Sequence, residues 1–169
     1  TLVYAIDRLL RHHRRVVVRL CEGNHDPQAA FSIALALSEH FRNERRVKLD
    51  LSPANYWFHG WGRNVIGATH GHKCKTAKLP SIMAATVPKL WGASIANGRH
   101  FYQGHLHHTF TQELNGCTVH VMPTLCAPDA YAAGAGYISS RSMSCDVYHR
   151  RAGFIRRETC PVELLGRAH

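Results

Sequence analysis

The sequence predicts a mixed α/β fold, and three observations carry that reading. Short apolar runs of strand length alternate with segments of helical period. Three of the strand-like runs end in polar, glycine-containing turns that carry histidine, around Asn24, His70 and His105. The chain has 169 residues, 45% of them apolar, which suffices for a real core in one domain.

The elements follow in order. Leu2, Ile6, Leu9 and Leu10 fall at helical spacing, so residues 2–12 read as a helix that opens on Thr1 rather than on a methionine. Val16 to Leu20 is an apolar run broken only by Arg19, as in a buried strand. The turn Glu22-Gly23-Asn24-His25-Asp26 leads into Pro27; Asp26 suits an N-cap and Pro27 a first helical position, with the helix running to about Arg42. A strand is expected over Val47–Leu51 and a hairpin over Asn55–Trp61. Val65–Thr69 reads as a strand ending in His70-Gly71-His72, then Leu79–Leu90 as a helix with Pro88 near its end. Arg99–Gln103 is a strand ending in Gly104-His105-Leu106-His107. Thr109–Leu114 and Cys117–Met122 form a hairpin on Asn115-Gly116. Ala127–Gly136 reads as a loop and Val147–Thr159 as a closing hairpin.

Composition narrows the partners. Lys and Arg number 21 against 11 Asp and Glu, a formal charge of +10. Such a surface favours anionic partners, nucleic acid above all, although a solvated basic face is the plainer reading. No RRM, zinc-finger or helix-turn-helix pattern is present. Cys21, Cys74, Cys117, Cys126, Cys145 and Cys160 make no C-x-x-C pair, which argues against a zinc ribbon. Scattered cysteines with no signal-peptide pattern suit a reducing, cytoplasmic location. The longest apolar run, around Phe31–Leu37, is too short for a bilayer, so no membrane partner is expected.

The 14 histidines pose the chemical question. In mixed α/β sheets, sites form beyond the carboxyl ends of strands, so Asn24, His25, His70, His105 and His107 could converge there. Imidazole and amide donors suit first-row divalent metals. His105 and His107 share a face only on an extended strand end; a tight turn could send them to two adjacent metals. His72 and His108 read as supporting or surface residues, and His12, His13, His40, His149 and His169 as solvated. Tyr56, Trp57, Phe58 and Trp61 read as core or hairpin cap rather than a base-stacking platform. Lys73, Lys75 and Lys78 follow a site turn, either lining a phosphate path or on a solvated face.

Gly23-Asn24-His25-Asp26, Thr69-His70-Gly71-His72 and Gly104-His105-Leu106-His107 together resemble, in order, the last three motifs of the calcineurin-like metallophosphoesterases. The resemblance covers roughly residues 16–125. It implies a sandwich of two mixed β-sheets flanked by helices, and a phosphate-ester substrate, as a mono- or diester. It also implies two divalent ions (Mn, Fe, Zn or Ni) about 3.5–4 Å apart. Asn24, His70 and His105 then look like ligands of one metal and His107 of the other. His25 looks like the histidine that binds the phosphate and protonates the leaving group. Within the family the basic charge favours a DNA or RNA nuclease.

The resemblance is incomplete. The family's D-x-H and G-D-x-x-D motifs precede G-N-H-D, yet only 23 residues come before Asn24, and the aspartate among them, Asp7, lies in Ala5-Ile6-Asp7-Arg8. Residues 1–169 are therefore expected to be the C-terminal portion of one metallophosphoesterase domain, as a fragment, a processed form or one part of a split protein, and impaired by themselves. The two motifs are expected to be encoded within on the order of 50–150 upstream residues. The alternative is a non-catalytic metal- or partner-binding module that keeps the fold.

Overall fold

The computed structural model describes residues 1–25, 27–127 and 139–164. The chain forms two compact units, Thr1–Trp57 and Phe58–His169.

The first unit contains α1 (Leu2–Leu10), β1 (Val16–Arg19), α2 (Pro27–His40) and β2 (Val47–Asp50). β1 and β2 are parallel, in register from Val16 opposite Val47 to Arg19 opposite Asp50. Ile6 of α1, Val16 of β1, Leu37 of α2 and Phe41 bury together, with Val3, Leu10, Val18 and Leu49 packed on them. Arg19, which interrupts the apolar run of β1, is anchored by its neighbour strand. Its Nη1 lies 3.1 Å from Asp50 Oδ1 and also donates to the Ser52 carbonyl. The other Asp50 oxygen accepts from Trp57 Nε1 at 2.9 Å. The charge is thus buried with a partner, as burial of an ion requires. The expected N-cap Asp26 lies outside the described residues.

The second unit is built on a five-stranded mixed sheet in the order β3-β4-β5-β7-β6, from β3 (Trp57–Trp61), β4 (Asn64–Thr69), β5 (Arg99–Gln103), β6 (Phe110–Leu114) and β7 (Cys117–Val121). β4, β5 and β7 run parallel, and β6 is antiparallel to β7. The hairpin turn on Asn115-Gly116 is as expected, both residues having positive φ (48° and 75°). On one sheet face Val65, Phe101 and Val119 are fully buried, as are Leu79 and Met83 of α3 (Leu79–Thr86). Packing is close enough there that a Cβ on Gly67 would lie 2.8 Å from the Phe101 ring and 2.9 Å from Met83 Cε.

The opposite face carries His100, Tyr102 and His120, and it is covered by the antiparallel pair β8 (Ser142–His149) and β9 (Gly153–Pro161). Polar bonds join the two layers. Arg157 Nε and Nη2 each donate to Asp146 at 2.7 Å, and Tyr102 donates to the same carboxylate. Burial pushes the Asp146 carboxyl up, but the hydrogen bonds from Arg157 and Tyr102 together outweigh it and hold it below its ordinary value. His100 Nε2 donates to the Asn97 carbonyl at 3.1 Å, since a carbonyl only accepts. A neutral His100 then accepts at Nδ1 from His120 Nε2 at 2.9 Å, and His120 Nδ1 accepts from Thr111 Oγ1 at 3.2 Å. Burial lowers both histidines' pKa values, His120 to about 4 with help from Arg157 and His100, which agrees with a neutral relay.

The mixed α/β class is observed. Besides the five-stranded mixed sheet, the described residues hold a parallel pair in the first unit and an antiparallel pair in the second. Three elements differ from expectation by more than one or two end residues. Residues 55–61 are not a hairpin in themselves; Trp57–Trp61 is one strand whose sheet neighbour is β4. The expected helix 79–90 is two helices, α3 and α4 (Pro88–Ala93), because Val87 before Pro88 leaves the helical region (φ −127°, ψ 58°). The closing hairpin begins at Ser142 rather than Val147 and ends at Pro161. The loop expected at Ala127–Gly136 lies, beyond Ala127, outside the described residues. Among the described residues, no helix is long and apolar enough to cross a membrane.

Candidate metal centre

Because β4, β5 and β7 are parallel, their carboxyl ends share one edge of the sheet, and the chain turns there at His70, at Gly104-His105 and at Met122. The backbone ladder continues past the strand ends: Gly104 N–H donates to the Thr69 carbonyl and Met122 N–H to the Gln103 carbonyl. The edge therefore holds these turns at fixed spacing.

Three imidazoles gather at this edge. The His70 ring centroid lies 5.2 Å from that of His72 and 5.1 Å from that of His105, and His72 and His105 are 6.1 Å apart. All three side chains are half-buried. Nδ1 of His72 is buried and has no hydrogen-bond partner among the described residues. An unpaired buried nitrogen costs about 1–3 kcal/mol, and a bound cation or ligand group would remove that cost.

Gln103 pins the turn that carries His70 and His72. It ends β5, is fully buried, accepts from Thr76 Oγ1 at 2.9 Å, and reaches the Gly71 carbonyl through Nε2 at 3.4 Å. Gly71 has φ +105°, and a Cβ there would sit 2.4 Å from Gln103 Cγ. Only glycine passes at this point. Gly104 has a Cβ position 3.4 Å from the His70 carbonyl, so the two turns lie against each other.

The Gly104-His105-Leu106-His107 segment forms a tight turn rather than an extended strand end. His105 and His107 both have positive φ, 68° and 54°, and Leu106 N–H donates to the Gly104 carbonyl at 2.8 Å. Non-glycine residues in this region cost about 1–3 kcal/mol each and concentrate at functional sites. His107 is exposed and His108 Nδ1 lies 2.9 Å from the Leu106 carbonyl. In the first unit, Gly23 is buried while Asn24 and His25 are exposed ahead of α2. A cavity of about 580 Å³ adjoins that turn, lined among others by Arg19, Glu22, Gln28, Phe31 and Asp50.

Of the residues singled out in the sequence, the structure brings His70 and His105 together and adds His72, which spacing alone set aside. Gln103 was also missed. Its signal was present: a glutamine ending the strand Arg99-His100-Phe101-Tyr102-Gln103, straight after two aromatic residues and just before Gly-His-Leu-His. His12, His13, His40 and His149 are exposed, as expected; His169 lies outside the described residues.

The donor set can be tested against a metal. Zinc holds histidine nitrogens at about 2.0–2.1 Å, which puts tetrahedral imidazole centroids roughly 5 Å apart. The ring spacing fits one such ion. The side-chain conformations do not close around one: among the described residues, no group of three His, Cys, Asp or Glu side chains is placed to hold a metal ion. Donor type thus suits a divalent ion, and the His70–His72 and His70–His105 spacings are near those of ligands to one ion, but the described side chains do not enclose one.

No protein-family model matches the chain, and no curated protein matches it in sequence. Among solved structures, it is similar to Vps29 of Entamoeba histolytica. A double mutant of that protein has TM-score 0.45 and 16% identity, covering 94% of this chain and 88% of that one. The wild-type protein complexed with zinc has TM-score 0.44, 16% identity and the same coverage. A conserved uncharacterised protein of Streptococcus pneumoniae, a predicted phosphoesterase, has TM-score 0.36 and 10% identity, covering 86% of this chain and 95% of that one.

Proposed function

We propose that this chain carries the histidine-rich portion of a metal-dependent phosphoesterase. The observation that supports it best is the gathering of His70, His72 and His105 at the carboxyl edge of three parallel strands, with a buried nitrogen on His72 that has no partner among the described residues. Imidazoles so arranged suit a first-row divalent ion. Such an ion supplies Lewis acidity toward phosphoryl oxygens and acidifies water. His70 and His105 would hold it, with His72 as a further donor or as a hydrogen-bond partner to the bound phosphate. The parts of Asn24 and His107 as ligands, and of His25 in protonating the leaving oxygen, are carried into this reading by motif order in the sequence.

The substrate class follows from charge. At +10, with Lys73, Lys75 and Lys78 exposed just beyond the His70-Gly71-His72 turn, the chain favours a polyanionic ester, nucleic acid before a small phosphomonoester. Counterion release then requires binding that weakens steeply with salt.

The test is metal and nucleic-acid binding by the purified chain. Calorimetric titration with zinc or manganese should give at most one strong site, lost in His70→Ala and in His105→Ala and weakened in His72→Ala. Retained stoichiometry in both His70→Ala and His105→Ala would sink the assignment. Metal binding that depends on these residues, with no hydrolysis by the longest natural reading frame containing the chain, would favour a non-catalytic module. Single-stranded DNA or RNA affinity that stays flat between about 50 and 200 mM salt would turn the substrate toward a small phosphate ester.

A further inference from the structure

The β8–β9 hairpin has a second face, turned away from the Asp146 and Tyr148 contacts with the sheet. Side chains alternate along a strand, so residues two apart share a face. Asp146 and Arg157, paired across the hairpin, point inward; Met143 and Cys145 of β8 and Glu158 and Cys160 of β9 therefore point outward. The register sets Met143 opposite Cys160 and Cys145 opposite Glu158. Three sulfur side chains thus occupy neighbouring positions of one surface. Met143 is 48% exposed, Cys145 is exposed and Cys160 is half-buried.

Spacing decides what three such sulfurs can do. Directly opposed residues have Cβ atoms about 4.5–5.5 Å apart, and diagonal ones roughly 6–8 Å. Cys145 and Cys160 are diagonal neighbours, whereas a disulfide needs Cβ atoms about 3.5–4.5 Å apart. Both thiols are free. A metal ion spans a longer gap: with metal–sulfur bonds of about 2.3 Å, two cysteine arms bridge roughly 6–7 Å. Met143 stands directly across from Cys160 to close the third side. The hard oxygen donor of this face is otherwise engaged, since Glu158 accepts from Arg156 Nε at 2.8 Å.

We propose that Met143, Cys145 and Cys160 form a soft-metal site for a monovalent thiophilic ion, Cu(I). Two thiolates and a thioether form a donor set that selects Cu(I) over oxygen-loving cations. Binding proceeds with release of the two thiol protons and without change of oxidation state. The site belongs to the hairpin and is chemically distinct from the histidine cluster: sulfur donors against imidazole, a monovalent ion against a divalent one.

The experiment is a titration of the full chain with Cu(I), kept reduced and without oxygen, against the competing chelator bicinchoninate. Thiolate-to-copper absorption in the near ultraviolet is followed in parallel, and circular dichroism checks folding of each variant. The wild-type chain should retain one Cu(I) against the chelator. Cys145→Ser and Cys160→Ser should each weaken binding by more than the roughly 10–100-fold that loss of an outer partner costs. Met143→Leu, at an exposed position, should weaken it by less than either. Cys74→Ser/Cys126→Ser should leave it unchanged. If Cys160→Ser unfolds the hairpin, the exposed Cys145→Ser and Met143→Leu still decide. Equal retention by wild type and Cys145→Ser overturns the proposal, and so does failure of the wild type to hold copper. Ready formation in air of a Cys145–Cys160 disulfide, seen as a two-hydrogen mass loss, would overturn the spacing argument.

Discussion

Gly71→Ala tests how the His70–His72 turn is held. The glycine has φ +105°, and the new methyl group would lie 2.4 Å from Gln103 Cγ and 2.6 Å from Gln103 Nε2. Two costs add. The backbone conformation costs an L-residue about 1–3 kcal/mol. Forcing a methyl into a packed position costs about 1–3 kcal/mol more, because Gln103 is fully buried and held by Thr76 and Gly71, not a free side-chain end. The sum is about 2–6 kcal/mol, read as a shift in the urea midpoint at constant slope. Gly92→Ala is the control: its Cβ meets nothing within 4 Å and it lies in α4, so it should stabilise by roughly 0.5–1 kcal/mol. In a Gln103→Ala background, Gly71→Ala should cost only the backbone part. A cost no greater than that of Gly92→Ala, or one unchanged by removing Gln103, would refute the reasoning.

Other perturbations bear on the second unit. His120 is buried neutral with its pKa lowered from 6.5 to about 4, and His100 is lowered as well. The unfolded chain binds more protons between those values, so stability should fall as pH drops from about 6.5 toward 4, by roughly 2–3 kcal/mol for His120; a flat urea midpoint over that window would contradict the neutral relay. Asp146→Ala leaves the Arg157 guanidinium, 20% exposed, without its bidentate partner and should cost about 3–5 kcal/mol in chemical denaturation; a loss under about 1 kcal/mol would mean the pair does not hold the hairpin. His107→Gly removes a non-glycine residue from φ 54°, so thermal stability should stay level or rise slightly; a clear drop would show His107 to be packed rather than displayed.

Much of this structure could be read in one dimension because its signals are local. Val16–Arg19, Arg99–Gln103 and the Asn115-Gly116 hairpin announce themselves through apolar runs and turn chemistry. The break at Val87 was hidden because the apolar pattern runs on through Pro88. The start of β8 was hidden for a different reason. Its inward face carries Ser142, Ser144 and Asp146, the last two in side-chain hydrogen bonds, so the alternation shows polar residues where an apolar face is sought. His100 and His120 escaped notice likewise, as buried histidines satisfied by each other. At the candidate metal centre, the motifs drew attention to His70 and His105, which the structure brings together. His72 was not, since its place beside them depends on the positive φ of Gly71 and on Gln103 beneath it.

The phosphoesterase reading is tested most directly by separating metal loss from proton transfer, in the longest natural reading frame that contains this chain. Metal per chain and turnover would be measured for wild type, His25→Ala and His105→Ala, on a nitrophenyl phosphate ester and on an ester with a poor alkoxide leaving group. His25→Ala should keep its metal and lose roughly 10²–10⁴ in turnover on the poor leaving group, the usual contribution of a positioned general acid, and less on the nitrophenyl ester. His105→Ala should lose metal and turnover together on both. Hydrolysis of both esters at wild-type rates by His105→Ala, or loss of metal from His25→Ala, would contradict it.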